Sequence, residues 1–451
     1  MHNKGKARVF SGVTTMDRQQ LKRAVVDAID RRGRELIAFG DDIFAHPELG
    51  YKEFRTAAKV EEKFRAMGIS YQSGIGITGL KARLPGKESR VSFGIMGELD
   101  SVLCPAHPNA DPVTGAAHAC GHNGMLTAML GAGMGLVDAG AMDYLGGDVV
   151  LIGMPAEEYV EIEYRNGLRQ AGKIEFLGGK QQWIVEGAFA DIDMVSMIHM
   201  ASDAPFKLGV AGTSNGFIGK FIRYSGREAH SGAAPHAGVN ALNAAMLGLM
   251  GVHAQRETLR DDDSIRIHPI ITKGGDLVNI VPADVRLEAY VRGKRVEGIV
   301  DASHKVDRAL KAGAMAIGAD VEITNLPGYL PRISDSAFDS VYQANCEWLV
   351  GAGASGRQGH GTASNDIGDL SHLMPTAGAL MGGVTGQGHS KDVRIVDPET
   401  FYLAAAKLHA CTAIDLLWGG AETARSIVAN YRPVYPDIAS YLAAWADLIK
   451  A

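Results

Sequence analysis

Three short apolar runs constrain this chain most, because each carries or ends on residues able to do chemistry. Residues 91–97 (VSFGIMG) run into Glu98-Leu99-Asp100, residues 148–154 (DVVLIGM) run into Pro155-Ala156-Glu157-Glu158, and residues 193–200 (DMVSMIHM) contain His199. Continuous apolar runs of this length read as strands buried on both faces. Helical patterns occupy 18–40, 54–67 and 124–140, and Gly68 closes the second of them. Strands alternating with helices predict an α/β domain with a largely parallel sheet flanked by helices. In such sheets ligands bind outside the carboxyl ends of the strands, where the acids of the first two runs fall.

The pattern changes at about residue 208. KFIRYSG alternates like a half-exposed strand, a helical pattern runs from Asn240 to about Leu259, and 265–272 and 284–292 alternate again. An amphipathic helix at 297–317 and the strand VEITN complete a β-α-β-β-α-β order, the plan of an α+β ferredoxin-like module. From about residue 328 the α/β character returns. The expected organisation is a discontinuous catalytic domain, 1–207 and 328–451, with a second domain, 208–327, inserted into it.

Composition narrows the function classes. A chain of 451 residues has room for two or three domains, and its formal net charge of -6 asks for neither nucleic acid nor an acidic membrane. Four scattered cysteines form no disulfide framework and fit a reducing compartment. The first 20 residues lack the apolar core of a signal peptide, and no run of about 18 apolar residues occurs, so a cytoplasmic location without membrane contact is the expectation.

The strongest local signal is His118-Ala119-Cys120-Gly121-His122-Asn123, with two imidazoles and a thiol inside five residues just before a buried helix. Thiolate and neutral imidazole are good ligands for zinc and related ions. Glu157-Glu158 follows a core strand, where one carboxylate can bind metal while the other takes a proton from water. Taken alone, such a pair is more often an exposed acidic turn. His199 in its apolar strand and His389 in Gly388-His389-Ser390 mean little singly. Together, four separate strand ends or turns each offer Cys, His or Glu. No G-x-S-x-G elbow and no phosphate-binding loop of the Walker type accompanies them.

The order GELD, HACGHN, PAEE, IHM, GREAHSGAAPH, NIVP, SNDIGDLS and GHS resembles the aminoacylase-like metallopeptidase–amidohydrolase family. More narrowly it resembles the branch with a cysteine in its metal-binding motif. The resemblance spans His46 to Ser390. It implies two divalent metal ions per subunit, Mn2+ before Zn2+, Co2+ or Ni2+. Their ligands would be Cys120 (bridging), His122, Glu158, His199 and His389. Glu157 would be the general base, and Asp100 the carboxylate that orients a ligand. The inserted domain would act as a lid and dimerisation domain, and its His230 would reach a neighbouring subunit's site to hold the oxyanion. Asn279 and Arg292 would bind the substrate's carboxylate; Arg292 reads equally well as an ordinary exposed strand residue.

The implied reaction is metal-dependent hydrolysis of a C–N bond, the amide of an N-acyl or aryl amino acid. The substrate would be small and anionic, with an aromatic part, and the assembly a homodimer or higher homo-oligomer. One departure keeps a second chemistry open. After PAEE the chain continues through a long stretch holding Tyr159, Tyr164, Arg165, Arg169, Lys173 and Trp183, which would either rim the pocket or elaborate the surface. A basic, aromatic rim would also suit hydrolytic deamination of an electron-poor aromatic amine such as 5-nitroanthranilate. A metal-binding relative without catalytic activity is the alternative outside the enzyme class.

Overall fold

A computed structural model describes residues 16–450, so most of the N-terminal segment read for a leader lies outside the described residues. The α/β expectation holds. The large sheet has eight strands, in the order Tyr71–Ile75, Gly79–Leu84, Asp148–Met154, Ser92–Glu98, Met194–Met200, Thr376–Met381, Leu208–Val210, Ser355–Arg357. The middle four, from Asp148–Met154 to Thr376–Met381, run parallel. They include the three apolar runs, and the first two are buried at every position, as strands covered on both faces must be. The helix His122–Asp138 packs across this sheet. A glycine in the sheet permits the close approach: a Cβ on Gly97 would sit 2.6 Å from Leu126 Cα.

The helical pattern at 18–40 resolves into two helices, Arg18–Arg31 and Gly33–Ala45. The first begins at an Asp17 capping box. Phe54–Ala66 ends just before Gly68, whose φ of 69° supplies the left-handed residue that closes a helix.

The second sheet has four antiparallel strands in the order Arg266–Lys273, Asp284–Gly293, Gly216–Ser225, Asp320–Tyr329. The helices Ala241–Ala254 and Val296–Ile317 pack against each other and on this sheet, around their own core of Ile222, Tyr224, Leu287, Val291, Val306 and Leu310. Chain order and strand order together are those of the split β-α-β plan. Residues 208–215 stand apart from this sheet: Leu208–Val210 pairs with Ser355–Arg357 and Thr376–Met381, so the small sheet starts at Gly216, later than the change of pattern at 208. At the other end its last strand continues to Tyr329. No helix among the described residues is long and apolar enough to cross a membrane.

Candidate metal centre

The site grows from the carboxyl ends of the parallel strands. Ser92–Glu98 delivers Glu98 and, two residues beyond, Asp100; Asp148–Met154 delivers Glu157 and Glu158; Met194–Met200 carries His199. Cys120 and His122 flank Gly121, whose φ of 88° turns the chain into the helix and whose hydrogen faces Met200 at a distance no Cβ could occupy. His389 comes from the loop after Thr376–Met381.

These side chains converge. Cys120 Sγ lies 3.2 Å from His199 Nε2 and 3.2 Å from His389 Nε2, and His389 Nε2 lies 3.2 Å from Glu158 Oε1. Two sets form, Cys120–His122–His199 and Cys120–Glu158–His389, with the donor atoms of each within 4.8 Å of one another and Cys120 common to both. The outer contacts fix which nitrogen faces inward. His122 Nδ1 is 2.9 Å from the Asp100 carbonyl and His199 Nδ1 is 3.0 Å from the Met200 carbonyl. A carbonyl only accepts, so both rings carry their proton on Nδ1 and present Nε2 to the cluster. Asp100 also receives the Glu158 backbone N–H at 2.8 Å, tying the two strand ends together.

The donor set fits divalent cations. Glu98 Oε2, His122 Nε2 and Glu158 Oε1 are buried without a hydrogen-bond partner among the described residues, an arrangement that costs free energy unless a cation serves them. Thiolate, imidazole and carboxylate together suit transition-metal ions. Burial and the charge of Glu158 push the Cys120 thiol up, but His199 and His122 outweigh them and bring it to about 6. Burial likewise opposes ionisation of Glu158, and His389 overcomes it, holding the carboxyl at about 2. Glu157 goes the other way: burial, then the charges of Glu98 and Glu158, raise it well above the usual carboxylate range.

The turn that carries Glu157 and Glu158 is held at nearly every backbone group. Ala156 has a φ of 52°, unusual for a residue with a side chain. Its N–H goes to Glu53 Oε1 at 2.8 Å, and its carbonyl takes Gly179 N at 3.1 Å and Arg165 Nη1 at 3.3 Å. Tyr329 and Tyr290 donate their hydroxyls to the carbonyls of Glu157 and Tyr159. A Cβ on Gly179 would fall 1.7 Å from the Pro155 carbonyl oxygen, so only glycine lets the 178–180 segment lie this close.

A pocket of about 670 Å3 opens over Cys120, Glu157, Glu158, His199 and His389 and is walled by Tyr159, Phe217, Tyr290 and Tyr329. Arg292 lines it from the small sheet. Its guanidinium donates to Ser364 Oγ at 3.1 Å and stacks over Phe217 and Tyr290, with no carboxylate partner among the described residues. His230 and Asn279 are not brought to this pocket: both are exposed and lie side by side, the Ser231 N–H bonded to the Asn279 carbonyl. The 159–187 stretch divides. Tyr159 and Val160 line the pocket, whereas Arg165 and Trp183 are buried, tied to the carbonyls of Leu177 and Ile75. Tyr164 lies under Lys52, and Lys173 is exposed.

Four participants were not singled out in the sequence. Glu98 contacts His122 Nε2 at 3.0 Å, Lys180 donates to Glu98 Oε1 at 2.6 Å and also to Asp366, and Asn365 donates to Glu98 Oε1 at 3.1 Å. Glu98 was legible in principle, because side chains two apart on a strand share a face and Asp100 was already assigned.

Residues 213–316 match the peptidase dimerisation domain family. Over 371 residues the chain is 28% identical to the Xaa-Arg dipeptidase of Mus musculus, covering 79% of this chain and 78% of that one. Over 366 residues it is 25% identical to the N-acyl-L-amino acid amidohydrolase of Geobacillus stearothermophilus, covering 78% and 90%. Its fold superposes with a TM-score of 0.64 on a dinuclear metal-binding peptidase of the M20 family from Bacillus subtilis, at 21% identity and with 86% and 99% of the two chains covered. The chain is thus similar over most of its length to metal-dependent hydrolases that act on C–N bonds, and residues 213–316 carry the peptidase dimerisation domain.

Proposed function

We propose that the protein hydrolyses the amide bond of a small N-acyl or aryl amino acid at a dinuclear centre, with Mn2+ as the working ion. The carrying observation is the placement of Glu157 on a clamped turn beside the Cys120–His122–His199–Glu158–His389 cluster, inside a pocket whose lid wall holds an uncommitted guanidinium. Divalent ions held by those five residues would supply a water of lowered pKa and a polarised carbonyl. Glu157 takes the proton of the attacking water and passes it to the leaving nitrogen. Asp100 keeps His122 in the inward-facing tautomer.

Arg292 receives the substrate carboxylate in its planar fork, and Tyr159, Phe217 and Tyr290 flank the acyl or aryl part. His230 and Asn279 act from a second copy of the chain, which their exposure and their absence from the lining of the chain's own pocket favour, with segment 208–327 serving as lid and dimerisation domain. Four free, buried cysteines favour a reducing compartment and so the cytoplasm.

The test is a mass-resolved assay of the Mn-loaded protein against N-acyl and aminobenzoyl amino acids beside nitro-substituted aminobenzoates. Release of a free amino acid is the expected result. Replacement of an aryl amine by hydroxyl, with ammonia released and amides untouched, would overturn it in favour of aromatic deamination.

A further inference from the structure

Glu98 is fully buried at the end of its strand, and its two oxygens are treated differently. Oε1 is saturated by Lys180 Nζ at 2.6 Å and Asn365 Nδ2 at 3.1 Å. Among the described residues Oε2 has no hydrogen-bond partner, yet it sits 3.0 Å from His122 Nε2, itself unpartnered there and out of line for an N–H bond to it. Glu157 Oε2 lies 3.7 Å from the same nitrogen, and Glu98, His122 and Glu157 form a third set of converging donors.

Two donors about 2.1 Å from one ion, seen from it at a right angle or slightly more, stand about 3.0–3.4 Å apart. The Cys120–His199, Cys120–His389 and His389–Glu158 pairs fall in that range at 3.2 Å, and so does Glu98–His122. Charge balance points the same way. Of the five residues assigned as ligands, the carboxylate belongs with His389, so the His122–His199 side has only its share of the Cys120 thiolate. A second carboxylate on that side evens the two positions. Lys180, fully buried and paired with both Glu98 and Asp366, offsets the extra charge and pins Oε1 so that Oε2 points to the cluster.

We propose that Glu98 is a sixth protein ligand of the centre, binding through Oε2 an ion that it shares with His122, with Lys180 and Asn365 as its positioning residues. This rests on the dinuclear reading of the site, and the experiment separates the two. Wild type, Glu98→Gln and Glu98→Asp are stripped, titrated with Co2+ and read by ions bound per chain, visible spectrum and melting temperature. Wild type takes two ions. Both variants are expected to bind the second at least tenfold more weakly, with an altered ligand-field band. Glu98→Asp carries the decision if Glu98→Gln does not fold, because it keeps the charge facing Lys180 and withdraws only the oxygen. Two ions bound with wild-type affinity and spectrum in a folded variant overturn the inference and leave the dinuclear reading intact. A wild type that takes up no ion overturns both.

Discussion

Tyr329, at the end of the last strand of the small sheet, donates its hydroxyl to the backbone carbonyl of Glu157. The residue proposed as the base is therefore held by a group from the element that walls the other side of the pocket. Tyr290 makes the equivalent bond to Tyr159, and the rings of Tyr159, Phe217, Tyr290 and Tyr329 pack edge to face around these contacts. Any shift of the small sheet relative to the large one is transmitted to the turn that carries both glutamates.

Tyr329→Phe should therefore cost activity out of proportion to its size. The ring still fills its space, but a buried carbonyl loses its donor, worth about 1–3 kcal/mol of stability. Misplacing a catalytic group by a fraction of an ångström lowers kcat by about tenfold or more. Steady-state kinetics with metal analysis on the same sample checks this: kcat should fall while ion content stays at the wild-type level.

Glu157→Gln separates base from ligand. The amide keeps the shape of the turn but takes no proton, so turnover should fall by about 10²–10⁴, the usual contribution of a general base. Ion content should not change, because Cys120, His122, His199, Glu158 and His389 are untouched. Loss of an ion in this variant would mean that Glu157 is a ligand.

The α/β class was readable in the sequence because it rests on periodicity. Buried strands such as Asp148–Met154 are apolar from Val149 onward, and the alternating Asp284–Gly293 shows one half-covered face. The cluster was readable because its donor types are chemically distinctive and the family motifs order them. What stayed hidden depends on long-range approach. Nothing local in GGK marks Lys180 as the fully buried partner of Glu98 and Asp366, residues 82 and 186 positions away. The aromatic and basic residues of 159–187 read equally as a pocket rim or a surface elaboration, but the helix Ile162–Gln170 turns Arg165 inward to the carbonyls of Ala156 and Leu177 while Tyr159 alone among the tyrosines of the stretch meets the pocket. Composition cannot tell a guanidinium that holds backbone from one that holds substrate.

The small sheet carries its own pH dependence. Asp284 accepts from Arg223 Nε at 2.8 Å, Arg286 Nη2 at 3.1 Å and Lys273 Nζ at 3.2 Å. Burial alone would raise its carboxyl, but these three donors outweigh it and bring it from 3.8 to about 2. A group lowered on folding stabilises the fold above its unfolded value and loses that contribution as pH falls through its folded value. Asp284→Asn should thus lower the urea midpoint near neutral pH. The gap to wild type should narrow as pH drops from about 4 toward 2. A gap that does not vary with pH would assign the effect to lost packing instead.

His230 sits on an exposed turn whose backbone N–H groups, from Gly232 and Ala233, both point to its Nδ1, at 3.1 and 3.0 Å. Nδ1 is therefore the acceptor, and the proton sits on Nε2, which the same contacts leave free to donate outward. A donor held this way suits an oxyanion, but its own pocket does not include it. If it serves a second subunit, His230→Ala should lower kcat by about 10²–10³, the cost of removing one oxyanion donor, with ion content unchanged. The decisive measurement mixes two dead proteins. In a heterodimer of His230→Ala with Glu157→Gln, the subunit that keeps Glu157 receives His230 from its partner, so one of the two sites is whole. Activity should reappear after the variants are unfolded together and refolded, and should be absent when each is refolded alone. A mixture as inactive as its parts would mean that His230 does not act on the partner's site.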